Sequence, residues 1–472
     1  MKLKEKIGYG FGDMASSMFW KLLSYYLPFF YTNVYGLGLE HAGLLMIITR
    51  IWDAVSDPMM GIIADRTNTR WGKYRPYLLF FAIPFSVAGV LLFTTPDSSE
   101  GFKTFWAYFT YILMMTVYTG INVPYGALLN TMTSDSDEKS VLSSYRMFFA
   151  YGGSFIALFA WEPLCNLFGK AVEVAPALAE EANTAMATVS RDPAGWQMAM
   201  ISIAVVCCIL FVLCFMMTKE YVHSKSTVSV GSDLKLLVKN KPWWLLIGAA
   251  LGSNLFNTVR GTATAYFFAD YLTQLVQMDS SLAFLLSASI FLSVGEVANM
   301  IGVVIAVPMS RKLGKKSTYI VSMAALIGLS ILFFFLPATT GGYFAMLVFQ
   351  LLISIFTGII SPLIWSMYAD VADYSELKDG TASTGLIFSS ASMAQKFGGA
   401  FGGAAVMWIL AGFGYNTAEG AVQTETAILG LQMLMSWVPA IVAALSILVV
   451  WFYPLTKKKM EDVQAELAAK RN

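Results

Sequence analysis

The chain has 472 residues, of which 57% are hydrophobic, 14% aromatic and only 13% charged. Soluble domains carry about 25% charged residues, so a chain of this length lacks the polar skin that two or three soluble domains need, and lipid is the solvent its composition fits. A formal net charge of +1 excludes a strongly basic nucleic-acid binder.

Long apolar runs separated by polar punctuation mark membrane helices. They predict twelve spans, at 9–34, 41–64, 76–95, 104–131, 142–168, 197–217, 243–275, 283–309, 318–337, 342–368, 383–412 and 428–454. The expected fold is an all-α membrane protein of two six-helix bundles, with no strand. The first run carries Asp13 and Lys21 and is amphipathic; Met1–Ile7 is basic, but Gly8–Asp13 interrupts any short apolar core, so no cleavable signal is expected. After span two comes the basic turn Gly61-Ile-Ile-Ala-Asp65-Arg66-Thr-Asn-Thr-Arg70-Trp-Gly72-Lys73. The 169–196 connection, rich in Ala and Glu (Glu173, Glu180, Glu181), carries no sign of chemistry. Cys165, Cys207, Cys208 and Cys214 lack metal-ligand spacing and are expected to be inert thiols, and His41 and His223 are too far apart in sequence to suggest a metal site. The polar stretch Thr218–Lys241 divides six spans from six. The expected organisation is a bundle over 1–217, a cytoplasmic loop over 218–242, a second bundle over 243–456 and a tail over 457–472. A second basic turn, Ser310-Arg311-Lys312-Leu313-Gly314-Lys315-Lys316, follows span eight at the position matching the first. Parallel repeats would produce that pair, and so would the general basicity of tight cytoplasmic loops.

Lys and Arg bias sets the orientation. One set of loops holds Lys2, Lys4, Lys6, Arg66, Arg70, Lys73, Arg75, Lys139, five lysines between 219 and 241, Arg311, Lys312, Lys315, Lys316, Lys378 and Lys457–Lys459; the other offers Lys103, Lys170 and Arg191. Both termini are therefore expected in the cytoplasm, in a multi-pass protein of a bacterial inner membrane.

Ionisable side chains at membrane depth are costly and mark function. The densest group is Arg50-Ile-Trp-Asp53-Ala-Val-Ser-Asp57-Pro58, where residues four apart share a helix face. Two confined carboxylates repel, so they either share a proton or coordinate a cation through oxygen. One arginine and one monovalent cation balance the pair; a structural Arg50 bridge to one aspartate, with the other protonated, is the plainer alternative. Lys396 lies beside the small-residue pairs Gly398/Gly402 and Gly399/Gly403, which permit a close neighbouring helix, and its expected partner is the aspartate pair. Arg146, Arg260, Asp270 and Glu296 are further buried candidates, for structural pairing or for solute. The acidic segment Asp370-Val-Ala-Asp373-Tyr-Ser-Glu376 is expected to bridge to Arg75 or Arg146 as a cytoplasmic latch, and Asp65 is grouped with that gate. No GxxxxGK[ST] loop is present, which disfavours ATP-driven pumping and leaves an ion gradient as the energy source.

These strings bring a family into view. Gly61–Lys73 is similar to the loop signature of the major facilitator superfamily, with Asn68 where a glycine is common. Tyr9-Gly-Phe-Gly, Arg50-Ile-Trp-Asp53-Ala-Val-Ser-Asp57-Pro58, Arg70-Trp-Gly-Lys73, Asn122-Val-Pro124-Tyr, Ala369–Glu376 and Gln395-Lys396 occur in that order. The chain resembles the glycoside–pentoside–hexuronide:cation symporters, the melibiose–sodium symporter family, from its N-terminus to the end of span twelve. The resemblance implies a cation site at Asp53, Asp57 and Thr119, with Ser56 supplying an oxygen between the aspartates, and a coupling lysine at Lys396. It puts Ser17 and Asn122 where the melibiose branch grips galactosyl hydroxyls with two aspartates, and Gly126 where that branch has a tryptophan. Asp13, one turn before Ser17, is a displaced carboxylate candidate, and Arg260 a cation toward sugar-acid or pentoside solutes. Trp20, Tyr125, Trp365 and Tyr368 are candidate platforms for a sugar ring, each weighed against plain packing.

The resulting expectation is an alternating-access symporter, not an enzyme. It would couple a sugar or glycoside to Na+ or H+, function as a monomer in the bilayer and need no cofactor beyond the co-transported ion. The rivals are an amphiphile or lysolipid transporter on the same scaffold, a membrane glycosyl or lipid transferase, and a non-transporting sugar sensor.

Overall fold

The computed structural model describes residues 2–133, 136–170, 189–221, 238–272, 285–379, 384–418 and 421–471. Among the described residues the secondary structure is helical, apart from one isolated bridge between Thr69 and Gly72. The elements are α1 (Leu3–Tyr25), α2 (Leu27–Phe29) with a π-turn at Phe30–Val34, α3 (Leu39–Arg66), α4 (Arg75–Phe80), α5 (Ala82–Leu92), α6 (Glu100–Met132), α7 (Ser136–Phe168) and α8 (Pro193–Met217). Then follow α9 (Lys241–Phe267) with a π-turn at Phe268–Leu272, α10 (Ala288–Leu313), α11 (Lys315–Phe334), α12 (Thr340–Asp379), α13 (Thr384–Gly412), α14 (Glu425–Met435), α15 (Trp437–Trp451) and α16 (Lys457–Arg471).

Each expected span corresponds to one helix or to helices in series. Seven stretches among the described residues, Glu100–Leu129, Val141–Phe168, Pro193–Met217, Ala288–Leu313, Lys315–Phe334, Thr340–Lys378 and Glu425–Trp451, are long and apolar enough to cross a membrane on those grounds alone. The third span is divided because Pro84 has no N–H for the Phe80 carbonyl, and the helix breaks at Phe81. Pro439 does the same for Met435, with the break at Ser436.

The chain forms two compact units. The first comprises Met1–Ser226, Phe268–Ser293 and Gly414–Thr424, so two short pieces of the second half of the sequence belong to it. Its core is built around α1, whose glycine face admits close neighbours. A Cβ at Gly8, Gly10 or Gly12 would lie 2.3–2.4 Å from side-chain atoms of Met217, Phe149 or Tyr125. The Tyr9-Gly-Phe-Gly string is thus a packing device for α7, α8 and α6.

The second unit comprises Thr227–Phe267, Val294–Phe413 and Glu425–Asn472. Here α13 meets α9 at glycines: a Cβ on Gly398 or Gly402 would lie 2.7 Å from Asn254 or Thr258. The small-residue spacing therefore produces the close crossing it suggests. The helix α16 is docked through Met460, Val463 and Leu467, which join the core of this unit.

Candidate functional site

In the first unit α3 lies against α6 and carries the charged group. Arg50 Nη1 donates to Asp53 Oδ2 at 2.8 Å, and both side chains are buried. Arg50 Nη2 reaches the Tyr111 hydroxyl at 3.3 Å, and the guanidinium lies 4.9 Å from the centroid of the Trp20 ring. Asp57, one turn on, is only half-buried, and Thr119 on α6 donates to its Oδ1 at 2.7 Å. Trp52 Nε1 donates to Thr116 Oγ1 at 2.8 Å, which pins the register of the two helices. Ser56 is buried, its hydroxyl 3.5 Å from the Asp53 carbonyl. Pro58 has no N–H for the Ala54 carbonyl, so one backbone oxygen between the two aspartates lacks its helical partner. The arrangement is two carboxylates, one neutralised by an arginine and one held by a hydroxyl, with neutral oxygens nearby. Among the described residues no group of three or more His, Cys, Asp or Glu could hold a metal ion. A site built this way suits a proton or a monovalent ion rather than a transition metal.

The expected solute residues in this unit fall into two sets. Asp13 is bonded to Arg146 on α7, with Nε to Oδ2 at 2.8 Å, so each is the other's partner. Ser17 and Asn122 are half-buried, and the Cβ direction at Gly126 meets open space within 4 Å. Tyr125, expected as a sugar platform, is instead fully buried. Its ring stacks on Tyr9 at 4.8 Å and its hydroxyl donates to the Tyr9 carbonyl at 2.7 Å, which makes it a packing residue.

The second unit holds the rest. Lys396 is buried on α13, and Trp365 is half-buried beside Tyr368. Arg260, expected to face solute, is committed within the bundle: Nη2 donates to Gln350 Oε1 at 2.9 Å and Nη1 to the Met435 carbonyl that Pro439 leaves free. Asp370 is bonded to Lys315 at 2.7 Å, and Asp373 is half-buried. In the first unit Arg75 is likewise occupied, donating to the carbonyls of Phe215 at 2.7 Å and Trp71 at 3.1 Å. Arg146 is thus bonded to Asp13 and Arg75 to main-chain oxygens, while Arg75 Nε is buried without a hydrogen-bond partner among the described residues. The Asp65 side chain, and the glutamates of the 169–196 connection, lie outside the described residues.

Three carboxylates have roles that the sequence reading missed or left open. Glu162, at the C-terminal end of α7, accepts from the Tyr26 hydroxyl and from the Ser289 backbone N–H, each at 3.2 Å. Asp270 accepts from Arg191 at 2.7 Å and from the Tyr415 hydroxyl, which in turn receives Asn33 Nδ2 at 2.9 Å. Glu220 accepts three backbone N–H groups, from Lys73, Tyr74 and Arg75 at 2.7–3.0 Å, and so closes the turn at Gly72, whose φ of +116° favours glycine. Next to it, Tyr221 donates to the Glu5 carboxylate, and that bond holds its phenol above the ordinary pKa. A glutamate placed among apolar residues was the available signal for Glu162; Glu220 offered none.

Residues 8–457 match the family described as MFS/sugar transport protein. The chain is 33% identical to the inner membrane symporter YicJ of Escherichia coli K12, over 99% of this chain and 95% of that one. It is 34% identical to the putative glycoside/cation symporter YagG of the same organism, over 100% and 96%. It is also 34% identical to the isoprimeverose transporter of Lactiplantibacillus pentosus, over 98% and 92%. Among solved structures, the nucleoside transporter NupG has the same fold, with a TM-score of 0.64 at 14% identity over 96% of this chain and 98% of that one. The chain belongs to the MFS/sugar transport protein family, as a symporter of the glycoside–pentoside–hexuronide:cation type; it is a multi-pass membrane transporter and not an enzyme.

Proposed function

We propose that this transporter carries a neutral glycoside or pentoside into the cell together with one monovalent cation, Na+ or H+, bound at Asp53 and Asp57. The observation that supports it most is the Thr119 hydroxyl on the Asp57 carboxylate, one turn from an aspartate already neutralised by Arg50. Two carboxylates and one buried guanidinium leave a single negative charge, which one cation balances. Ser56 and the partnerless Ala54 carbonyl complete an oxygen cage. Ser17, Asn122 and the mutually neutral Asp13–Arg146 pair offer hydrogen bonds but no net charge, which favours an uncharged solute over a hexuronide. Open space at Gly126 gives the solute room on the same helix. Among the relatives, a putative glycoside/cation symporter and an isoprimeverose transporter accord with a glycoside or pentoside as solute.

Transport by alternating access fits two six-helix bundles, 1–217 and 243–456, with both termini in the cytoplasm. In that orientation Glu162, Asp270, Arg191, Tyr415 and Ser289 lie at the outer ends of their elements. Their bonds hold Phe268–Ser293 and Gly414–Thr424 to the first unit. Within the first unit these contacts form an outer latch on those two pieces.

Calorimetry of the purified protein against a panel of glycosides, pentosides and hexuronides, with and without sodium across pH, tests the reading. Binding of one neutral sugar should tighten with the cation, by the 5–150-fold typical of linked sites, and the enhancement should vanish in Asp57→Asn. Tight binding independent of sodium and of pH would sink it.

A further inference from the structure

One cavity of about 350 Å³ lies in the second unit, away from every residue used so far for cation or solute. Arg311, Lys315, Thr456, Lys457, Met460 and Glu461 are among its lining residues. It sits where α10 ends, α11 begins and α16 starts. Folding brings two distant basic strings to its rim. Lys457 Nζ donates to the Arg311 carbonyl at 2.9 Å, and Lys316 Nζ donates to the carbonyls of Trp451 and Tyr453 at 2.7 Å. The buried Met460, Val463 and Leu467 fix the first turn of α16 in this place. Three cations line the cavity, Arg311, Lys315 and Lys457, and Lys312, Lys316, Lys458 and Lys459 adjoin them in the chain, against three acids, Asp370, Glu461 and Asp462. Lys315 is neutralised by Asp370, and Lys316 and Lys457 brace main-chain oxygens. Arg311, Lys312, Lys458 and Lys459 remain exposed, with no side-chain partner among the described residues.

Next to this basic rim is an apolar shoulder. Leu313 at the end of α10 is 43% exposed, and Trp451 and Phe452 at the end of α15 are 65% and 60% exposed. Helix α10 and the α14–α15 stretch are each long and apolar enough to cross a bilayer, so their ends reach the interface where aromatic and basic side chains anchor a protein. Inorganic phosphate would use only the basic rim, and an acidic peptide would leave large apolar side chains in water. A phospholipid uses both.

We propose that this face is a specific site for one anionic glycerophospholipid. The phosphate rests among Arg311, Lys312 and Lys458, and the acyl chains run along Leu313, Trp451 and Phe452. Bound there, the lipid bridges the α10–α11 turn to α16 and relieves the repulsion among the converged cations.

The test is native mass spectrometry of the full-length protein in neutral phosphatidylcholine nanodiscs titrated with phosphatidylglycerol. Inorganic phosphate and an acidic peptide serve as competitors. One phosphatidylglycerol should remain bound after neutral lipid is stripped. Each basic residue near a membrane surface contributes about fivefold in affinity, so the triple variant Arg311→Gln, Lys312→Gln, Lys458→Gln should bind about a hundredfold more weakly. Lys2→Gln, Lys4→Gln, Lys6→Gln, which removes equal charge elsewhere, should leave the site intact. Leu313→Asn with Trp451→Gln should weaken phosphatidylglycerol binding without altering charge. Equal loss in both charge triples would reduce the effect to diffuse attraction and overturn the proposal. So would displacement of the lipid by phosphate or by the peptide at comparable concentration.

Discussion

Asp53 and Asp57 share a helix face, but their surroundings require different responses to the same substitution. Asp53→Asn leaves the Arg50 guanidinium, whose side chain is 5% exposed, without its counter-charge. Breaking a buried pair from one side costs about 3–5 kcal/mol. The Tyr111 hydroxyl at 3.3 Å and the Trp20 ring at 4.9 Å are present in both forms, so they cancel in the difference. The expectation is a destabilisation of about 3–5 kcal/mol. Asp57→Asn meets a half-buried site where the carboxylate accepts from the neutral Thr119 hydroxyl. It replaces a charge-assisted hydrogen bond with a neutral one and costs about 1 kcal/mol or less. The double variant Arg50→Gln, Asp53→Asn removes both charges and should recover most of the stability lost by Asp53→Asn alone. Equilibrium unfolding in mixed micelles measures all three on one scale. Equal losses for the two single variants, or no recovery in the double variant, would refute the assignment of Arg50 to Asp53.

Other consequences concern sites away from the cation. Glu162→Ala removes the acceptor for the Ser289 N–H and the Tyr26 hydroxyl. Leaving such donors unsatisfied costs about 1–3 kcal/mol, so deuterium exchange over 285–292 should accelerate by about tenfold or more, and unchanged exchange would remove the outer latch. Glu220→Gln weakens the cap on three backbone N–H groups. Tryptic cleavage after Arg70 and Lys73 should quicken about tenfold, at 1.5–3 kcal/mol for hydrogen bonds to a charged group. Arg260→Lys cannot serve Gln350 and the Met435 carbonyl together. Stability should fall by about 1–3 kcal/mol while solute affinity changes less than twofold; a large affinity loss at full stability would return Arg260 to the solute site.

What the sequence revealed divides along physical lines. The spans, the all-α class and the charged string of span two are local patterns, legible because a charge in an apolar run stands out without knowledge of its neighbours. The Thr119–Asp57 contact came through family resemblance, since 62 positions separate the two residues. Glu162, Glu220 and Asp270 were opaque because their partners lie 79–147 positions away. No periodicity encodes which distant N–H a carboxylate will meet. Arg260 was left between structural pairing and solute for a related reason. Its acceptor exists because Pro439, on another helix, leaves a carbonyl free, and a buried arginine looks the same in sequence whether it faces solute or backbone. Tyr125 was left between platform and packing because the glycine that makes room for its ring, Gly12, is on α1.

The central claim is that a cation held by the two span-two aspartates drives solute accumulation. Proteoliposomes containing Asp57→Asn separate driving from carrying. Solute exchange down its own gradient should persist near the wild-type rate, while accumulation under an imposed sodium or proton gradient should fall to equilibration. Undiminished accumulation in that variant, and in Asp53→Asn with Asp57→Asn together, would contradict the account.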